Sequence, residues 1–136
     1  MAVHIGGRYL GELKTELTHE PSGAVLRTAA PLDNQGDGSS FSPTDLVAAG
    51  LGACMMTILG IVARRDGIDL TGATFSVDKH MTAEPPRRIA RLVVVLRLPA
   101  SVPVADRDKL RRAALTCPVH RSLLPEIDIP LEVVYE

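Results

Sequence analysis

The hydrophobic and polar positions of the chain run from loose alternation, through a long uncharged stretch, back to strict alternation. Tyr9 to Leu17 alternates with interruptions at Leu13, Glu16 and Leu17. After the turn Glu20-Pro21-Ser22-Gly23, Ala24 to Ala29 continues as a second strand, so the pair predicts a β-hairpin. Asp33 to Ser40 is a polar, Gly-containing loop. Ser42-Pro43-Thr44-Asp45 then places an N-cap Ser, a Pro at the first helical position and an Asp three residues after the cap. These are start signals for a long helix that ends at Arg64-Arg65, with Gly67 as its terminator. Ile68 to Met81 reads as a strand, and Arg88 to Leu98 as a second one. The continuous run Leu92 to Leu96 in the latter predicts a central strand covered on both faces. Asp106 is placed to cap a helix with Leu110, Ala113, Ala114 and Cys117 on one face, and Pro118 restarts a short helix through Leu124. Ile127, Ile129, Leu131, Val133 and Tyr135 alternate without exception and predict a closing strand, with Pro130 at a sheet edge. The class is α+β.

A chain of 136 residues is the size of one ordinary domain, so residues 1–136 are expected to share a single fold. Lys plus Arg number 15 against 16 Asp plus Glu, and aromatics are 3% of the chain. The charge balance argues against a phosphate-backbone binder, and the aromatic count against a stacking platform for single strands; no nucleic-acid partner is expected. Leu46 to Ala63 carries no charge and as a helix would span about 27 Å, the lower limit for a bilayer. Its richness in Ala and Gly favours a buried helix over a membrane span. With no apolar signal segment at the start, the cytoplasm is the expected compartment. Gly50, Gly52 and Gly60 each weaken that helix by about 1 kcal/mol relative to Ala, which points to close packing against it.

Two cysteines exclude a disulfide-rich scaffold and leave open a thiol pair. Cys54 sits mid-helix, where a buried structural role is the ordinary reading. Cys117 lies in Thr116-Cys117-Pro118-Val119-His120, where it can cap the helix that Pro118 begins; a thiol there gains thiolate stabilisation from the dipole and the free amides. The Cys117/His120 spacing also invites a zinc reading, with Cys54 and His19 or His80 completing four ligands. Tetrahedral sites usually show paired local motifs and only one short spacing is present, so no metal is expected.

Phe41-Ser42-Pro43-Thr44-Asp45-Leu46-Val47-Ala48-Ala49-Gly50-Leu51-Gly52-Ala53-Cys54-Met55, followed by Cys117-Pro118-Val119-His120, resembles the OsmC/Ohr family of thiol-dependent hydroperoxide reductases. The resemblance runs from about Tyr9 to the C-terminus. It implies an intertwined homodimer with six-stranded sheets wrapped around paired central helices. It also implies that Cys54 is the peroxidatic and Cys117 the resolving cysteine, joined in a disulfide that an external dithiol, such as a lipoylated protein, reopens, with no bound cofactor. An apolar pocket for an organic hydroperoxide would involve Leu51, Met55 and His120. The sequence departs from the family pattern at Thr44, where active members carry Glu; neighbouring Asp45 is a substitute, although it also fits as the capping partner of Ser42. In place of the family's clamping Arg, an ungapped alignment puts Lys14, with Arg8 and Arg27 as alternatives and His19 as a further candidate. A Lys supplies charge without the guanidinium fork. Those departures leave a second reading, a non-peroxidatic member of the fold that binds a small apolar or electrophilic ligand at the dimer groove.

Overall fold

Glu12 and Leu13 both adopt positive φ, 56° and 61°, and cut the first predicted strand in two. Two consecutive residues in that region form the loop of a tight hairpin. Tyr9 secures it, its hydroxyl accepting the Leu13 N–H at 3.2 Å. The computed structural model describes residues 1–136. Its first strands are β1 (Ile5–Gly11), β2 (Lys14–His19) and β3 (Ala24–Ala29), an antiparallel sheet in the order β1-β2-β3. Contacts divide the chain into two compact units, Met1–Val47 and Ala48–Glu136.

Within the first unit the register sets Gly7 opposite Leu17 and Leu17 opposite Leu26, so an apolar row crosses all three strands. On the opposite face Glu16 stands between Arg8 and Arg27. A short 3₁₀ turn, Leu32–Asn34, follows β3. The long helix α1 (Pro43–Asp66) starts in this unit with the predicted capping box: the Asp45 N–H donates to Ser42 Oγ at 3.1 Å and the Ser42 N–H to Asp45 Oδ2 at 2.8 Å.

The second unit holds the rest of α1, β4 (Thr74–Met81), β5 (Ile89–Leu98), α2 (Val104–Ala114), α3 (Pro118–Ser122) and β6 (Leu131–Tyr135). The sheet order is β4-β5-β6, with β5 antiparallel to β4 and parallel to β6. Each sheet of the chain thus has three strands. The register places Phe75 and Val77 opposite Leu96 and Val94, and these in turn beside Val133 and Leu131. This apolar face receives α1. A Cβ on Gly52 would lie 2.7 Å from the Phe75 ring and 2.8 Å from Val77, so only Gly admits the helix so close to β4.

Several expectations are corrected. α1 is long and apolar enough by length and composition to cross a membrane. Yet within the chain only one stripe is buried, Ala48, Leu51, Gly52, Met55, Leu59 and Ala63, at helical spacing, whereas Ala53, Thr57, Gly60 and Ile61 are exposed. Of the three helix glycines, Gly52 alone has a close neighbour; nothing lies within 4 Å of a Cβ on Gly50 or Gly60. β5 is central, but its buried residues alternate (Leu92, Val94, Leu96, Leu98), with Val93 and Val95 half-buried on the other face. β4 begins at Thr74 rather than Ile68, because an Asp69 turn accepting the Thr71 N–H and a positive φ at Gly72 hold the chain out of the sheet. Pro103, not Asp106, is the N-cap of α2, and Asp106 sits in the first turn. β6 starts at Leu131; the segment before it meets β5 through an isolated Arg91–Asp128 bridge with an ion pair at 3.1 Å, through carbonyls that accept the Leu92 and Val94 N–H groups, and through the Asp128 N–H, which donates to Ala90 O. Gly67, at φ 71°, ends α1 as expected, with Ile68 N–H donating back to Ala63 O at 2.8 Å.

Candidate functional site: two adjacent thiols

Cys54 falls beside the buried stripe of α1, one residue before Met55 and one turn after Leu51, which leaves it half-buried. Cys117 is fully buried at the N-cap of α3. Its sulfur accepts the His120 backbone N–H at 3.2 Å, and Pro118 occupies the first helical position, as the sequence suggests. Both cysteines are free thiols, and Cys54 is near enough to Cys117 to help raise its pKa. Residues far apart in sequence thus meet as a free dithiol inside the second unit.

The electrostatics of Cys117 run against the helix-start argument. Burial is the largest influence and pushes its thiol above the ordinary value of 9.0; the His120 N–H opposes this and the Cys54 thiol adds to it. A short helix start therefore does not outweigh desolvation, and Cys117 is held as a thiol.

The elements that carry the sulfurs are tied together. Lys109 on α2 bonds Asp66 at the end of α1 and lies 3.4 Å from Asp106. The Lys109 contact also lowers the Asp66 carboxyl below its ordinary range. Arg111 donates to Leu131 O at 3.0 Å, and the Arg107 guanidinium lies 4.1 Å from the centre of the Tyr135 ring, so α2 is anchored to β6 as well. α2 ends three residues before Cys117.

The remaining sequence candidates have other surroundings. Leu51 and Met55, expected to line a substrate pocket, are fully buried core side chains of α1. His120 is half-buried and contributes its backbone N–H to Cys117. Lys14 belongs to the first unit, where its ammonium pairs with Asp37 at 2.9 Å and lines a cavity of about 330 Å³ with Leu10, Arg27, Thr28, Ala29, Ser39 and Ser40. The Lys14 contact, aided by Ser39, holds the Asp37 carboxyl well below the usual carboxylate range. Arg8 and Arg27 both grip Glu16, with Nε–O distances of 3.1 and 3.2 Å, and lower its pKa. His19 Nδ1 lies 2.6 Å from Ser22 Oγ in the β2–β3 turn. Asp45 caps α1, and the Thr44 hydroxyl lies 3.2 Å from that of Ser42. No group of three or more His, Cys, Asp or Glu side chains is arranged to hold a metal ion. Sequence reasoning missed Asp37 and Glu16 as partners of the basic candidates; Glu16 on the strand next to Arg8 and Arg27 was the available signal.

With this arrangement in view, the profile of the family described as OsmC-like protein matches residues 36–132 of the chain, a span that includes both thiols. The chain belongs to the OsmC family. This OsmC-like chain is 39% identical to a Psychrobacter arcticus protein provisionally described as osmotic stress induced and of the detoxification response, with a TM-score of 0.90 over 95% of this chain and 93% of that one. An organic hydroperoxide resistance protein OsmC from Legionella pneumophila, 23% identical, shares the fold with a TM-score of 0.73 over 98% and 97% of the two chains. The organic hydroperoxide resistance protein OhrB of Bacillus subtilis, 19% identical, does so at 0.72 over 98% of each. No curated protein sequence matches the chain.

Proposed function

We propose that this OsmC-like protein is a thiol-dependent peroxidase that reduces organic hydroperoxides. The observation that carries the reading is the pair of free thiols in one compact unit, one half-buried and one fully buried, with Cys54 near enough to raise the Cys117 pKa. Cys54, the more accessible of the two, attacks the O–O bond as thiolate; the alkoxide leaves as alcohol and Cys54 becomes a sulfenic acid. The Cys117 thiol then attacks the Cys54 sulfur, forms the disulfide and releases water. An external dithiol, of which a lipoylated protein is one candidate, exchanges with the disulfide and restores both thiols. Full burial keeps Cys117 from meeting peroxide first and supports its assignment to the second, resolving step, in which it loses its proton as it attacks the Cys54 sulfur.

A homodimer is part of the proposal. Ile5, Tyr9 and Leu26 in the first unit, and Ile61 and Phe75 in the second, are exposed on the chain alone, apolar side chains that a second copy would cover. The organic peroxide, the reductant and a cytoplasmic setting complete the reading.

Peroxide consumption by the wild-type, Cys54→Ser and Cys117→Ser proteins tests it. Wild type turns over cumene hydroperoxide with a dithiol; Cys54→Ser shows only the uncatalysed rate; Cys117→Ser reduces one equivalent and accumulates a sulfenic acid. Full activity in Cys54→Ser overturns the mechanism. A second reading, a non-peroxidatic protein that binds a small apolar or electrophilic ligand, draws support from Thr44 and from the pairing of Lys14 with Asp37. It predicts saturable ligand binding with thiols that do not respond to peroxide.

A further inference from the structure

We infer that the first unit carries a binding site for a small monocarboxylic acid, in the cavity of about 330 Å³ lined by Lys14 and Arg27. The cavity stands on one face of the β1-β2-β3 sheet. Lys14 and Glu16 project from the same face of β2, and the register sets Ala29 and Arg27 opposite them on β3. Lys14 and Arg27 are therefore diagonal neighbours, about 7–8 Å apart, a spacing that two long side chains close around one carboxylate. Ile5, Tyr9 and Leu26, the apolar side chains assigned above to a second copy, pair with His19, Thr15 and Leu17 and belong to the other face of the sheet.

Charge selects an anion that carries one unit. The cluster on the cavity's face holds three cations, Arg8, Lys14 and Arg27, against two carboxylates, Glu16 and Asp37, so one positive charge is left over. Neither cation that lines the cavity has used all its donors. An ammonium has three N–H bonds and Asp37 takes one; Glu16 engages Arg27 through Nε and Nη2, which leaves Nη1. A ligand carboxylate can thus accept from both without displacing either partner.

Shape selects an organic acid. Leu10 and Ala29 give the cavity an apolar side that suits a short hydrocarbon tail, and the volume lies at the lower end for small-molecule sites. Ser39 and Ser40 form the facing wall. Ser40 Oγ donates to Arg27 O at 2.9 Å and the Ala29 N–H to Phe41 O at 3.0 Å, so this wall is held against β3 before a ligand arrives.

Titration of the intact protein with hexanoate, followed by amide NMR shifts and by calorimetry, tests the site. The expected result is saturable binding, with shifts centred on Leu10, Lys14, Arg27, Ala29, Ser39 and Ser40. Hexanamide, similar in shape but neutral, does not bind, and acetate, which lacks the tail, binds more weakly. Lys14→Met and Arg27→Gln each bind about tenfold more weakly, the effect of losing one hydrogen bond to a charged group. Asp37→Asn keeps an acceptor for the Ser39 N–H and removes a like charge, so it binds hexanoate more tightly than wild type, a gain that damage to the fold does not produce. Melting curves of each variant separate loss of fold from loss of the site. The inference is overturned by no saturable binding, by shifts centred outside the first unit, or by equal affinity for hexanamide or acetate. Wild-type affinity in a folded Lys14→Met or Arg27→Gln variant, or no gain in Asp37→Asn, overturns it as well. The thiols take no part in this assay, so its outcome is independent of the peroxidase reading.

Discussion

Cys54 and Cys117 have the same side chain in opposite settings. Cys54 rides on a long helix, at the margin of its buried stripe; Cys117 is sealed at the cap of a five-residue helix. The backbone N–H groups of His120 and Val119, at a short helix start, are too little to hold a thiolate against desolvation at Cys117. The difference teaches that the position a residue holds in a helix does not by itself set its reactivity. Burial decides it here, and it leaves the half-exposed thiol as the one placed to meet a substrate.

The sharpest way to break this asymmetry is to remove one sulfur at a time. Cys54→Ser is expected to abolish peroxide turnover, whereas Cys117→Ser keeps one turnover and then stops, as single-turnover and steady-state assays would separate. Equal behaviour of the two variants would erase the distinction between attacking and resolving thiol.

A smaller effect is expected where the Cys54 helix meets its sheet. Gly52→Val places side-chain atoms against Phe75 and Val77, and overpacking of this kind costs about 1–3 kcal/mol, measurable by denaturant unfolding. Gly60, on the same helix with open space around it within one chain, gives the contrast: Gly60→Ala should stabilise the dissociated chain by about 1 kcal/mol, and a destabilised dimer would place the second copy against Gly60 as well as Ile61.

Asp45 separates a structural from a catalytic carboxylate. Asp45→Ala removes one half of the capping box and is expected to cost about 1 kcal/mol of stability while peroxide turnover persists in the folded protein. Loss of turnover with unchanged melting would return Asp45 to the chemistry.

The smallest effect is a pH dependence at Cys117. Its pKa is raised in the fold, so the unfolded chain releases this proton at lower pH than the native one. The neutral thiol's contribution is present below the unfolded pKa and is lost as pH rises through the folded value. Stability of the reduced protein should therefore decline as pH passes the ordinary thiol value of 9.0, and Cys117→Ser should lack that component in denaturant titrations at increasing pH.

The features legible in the sequence are those with local causes. Ser42 and Asp45 announce the start of α1, Gly67 its end, and Pro118 the cap at Cys117, because each acts within a few residues of itself. The division of β1 from β2 was hidden, since Glu12 and Leu13 adopt positive φ without the Gly or Asn that normally signals it. The late start of β6 was hidden because Ile127 and Ile129 continue the alternation of a strand that pairing with β5 does not extend to them. The approach of Cys54 to Cys117 depends on α1 seating on β4 and on α2 being held to β6, and neither contact leaves a local trace. The partners of the basic candidates were hidden for a similar reason. Lys14, Arg8 and Arg27 are charged in the sequence, but only the folded first unit shows that Asp37 and Glu16 engage them.

The most direct test of the account is to count and map the thiols of the reduced protein after one equivalent of cumene hydroperoxide. The account predicts that both free thiols disappear together and that peptide mapping recovers a single Cys54–Cys117 disulfide within one chain. Two thiols still free after exposure, or a disulfide that forms only between chains, would contradict it.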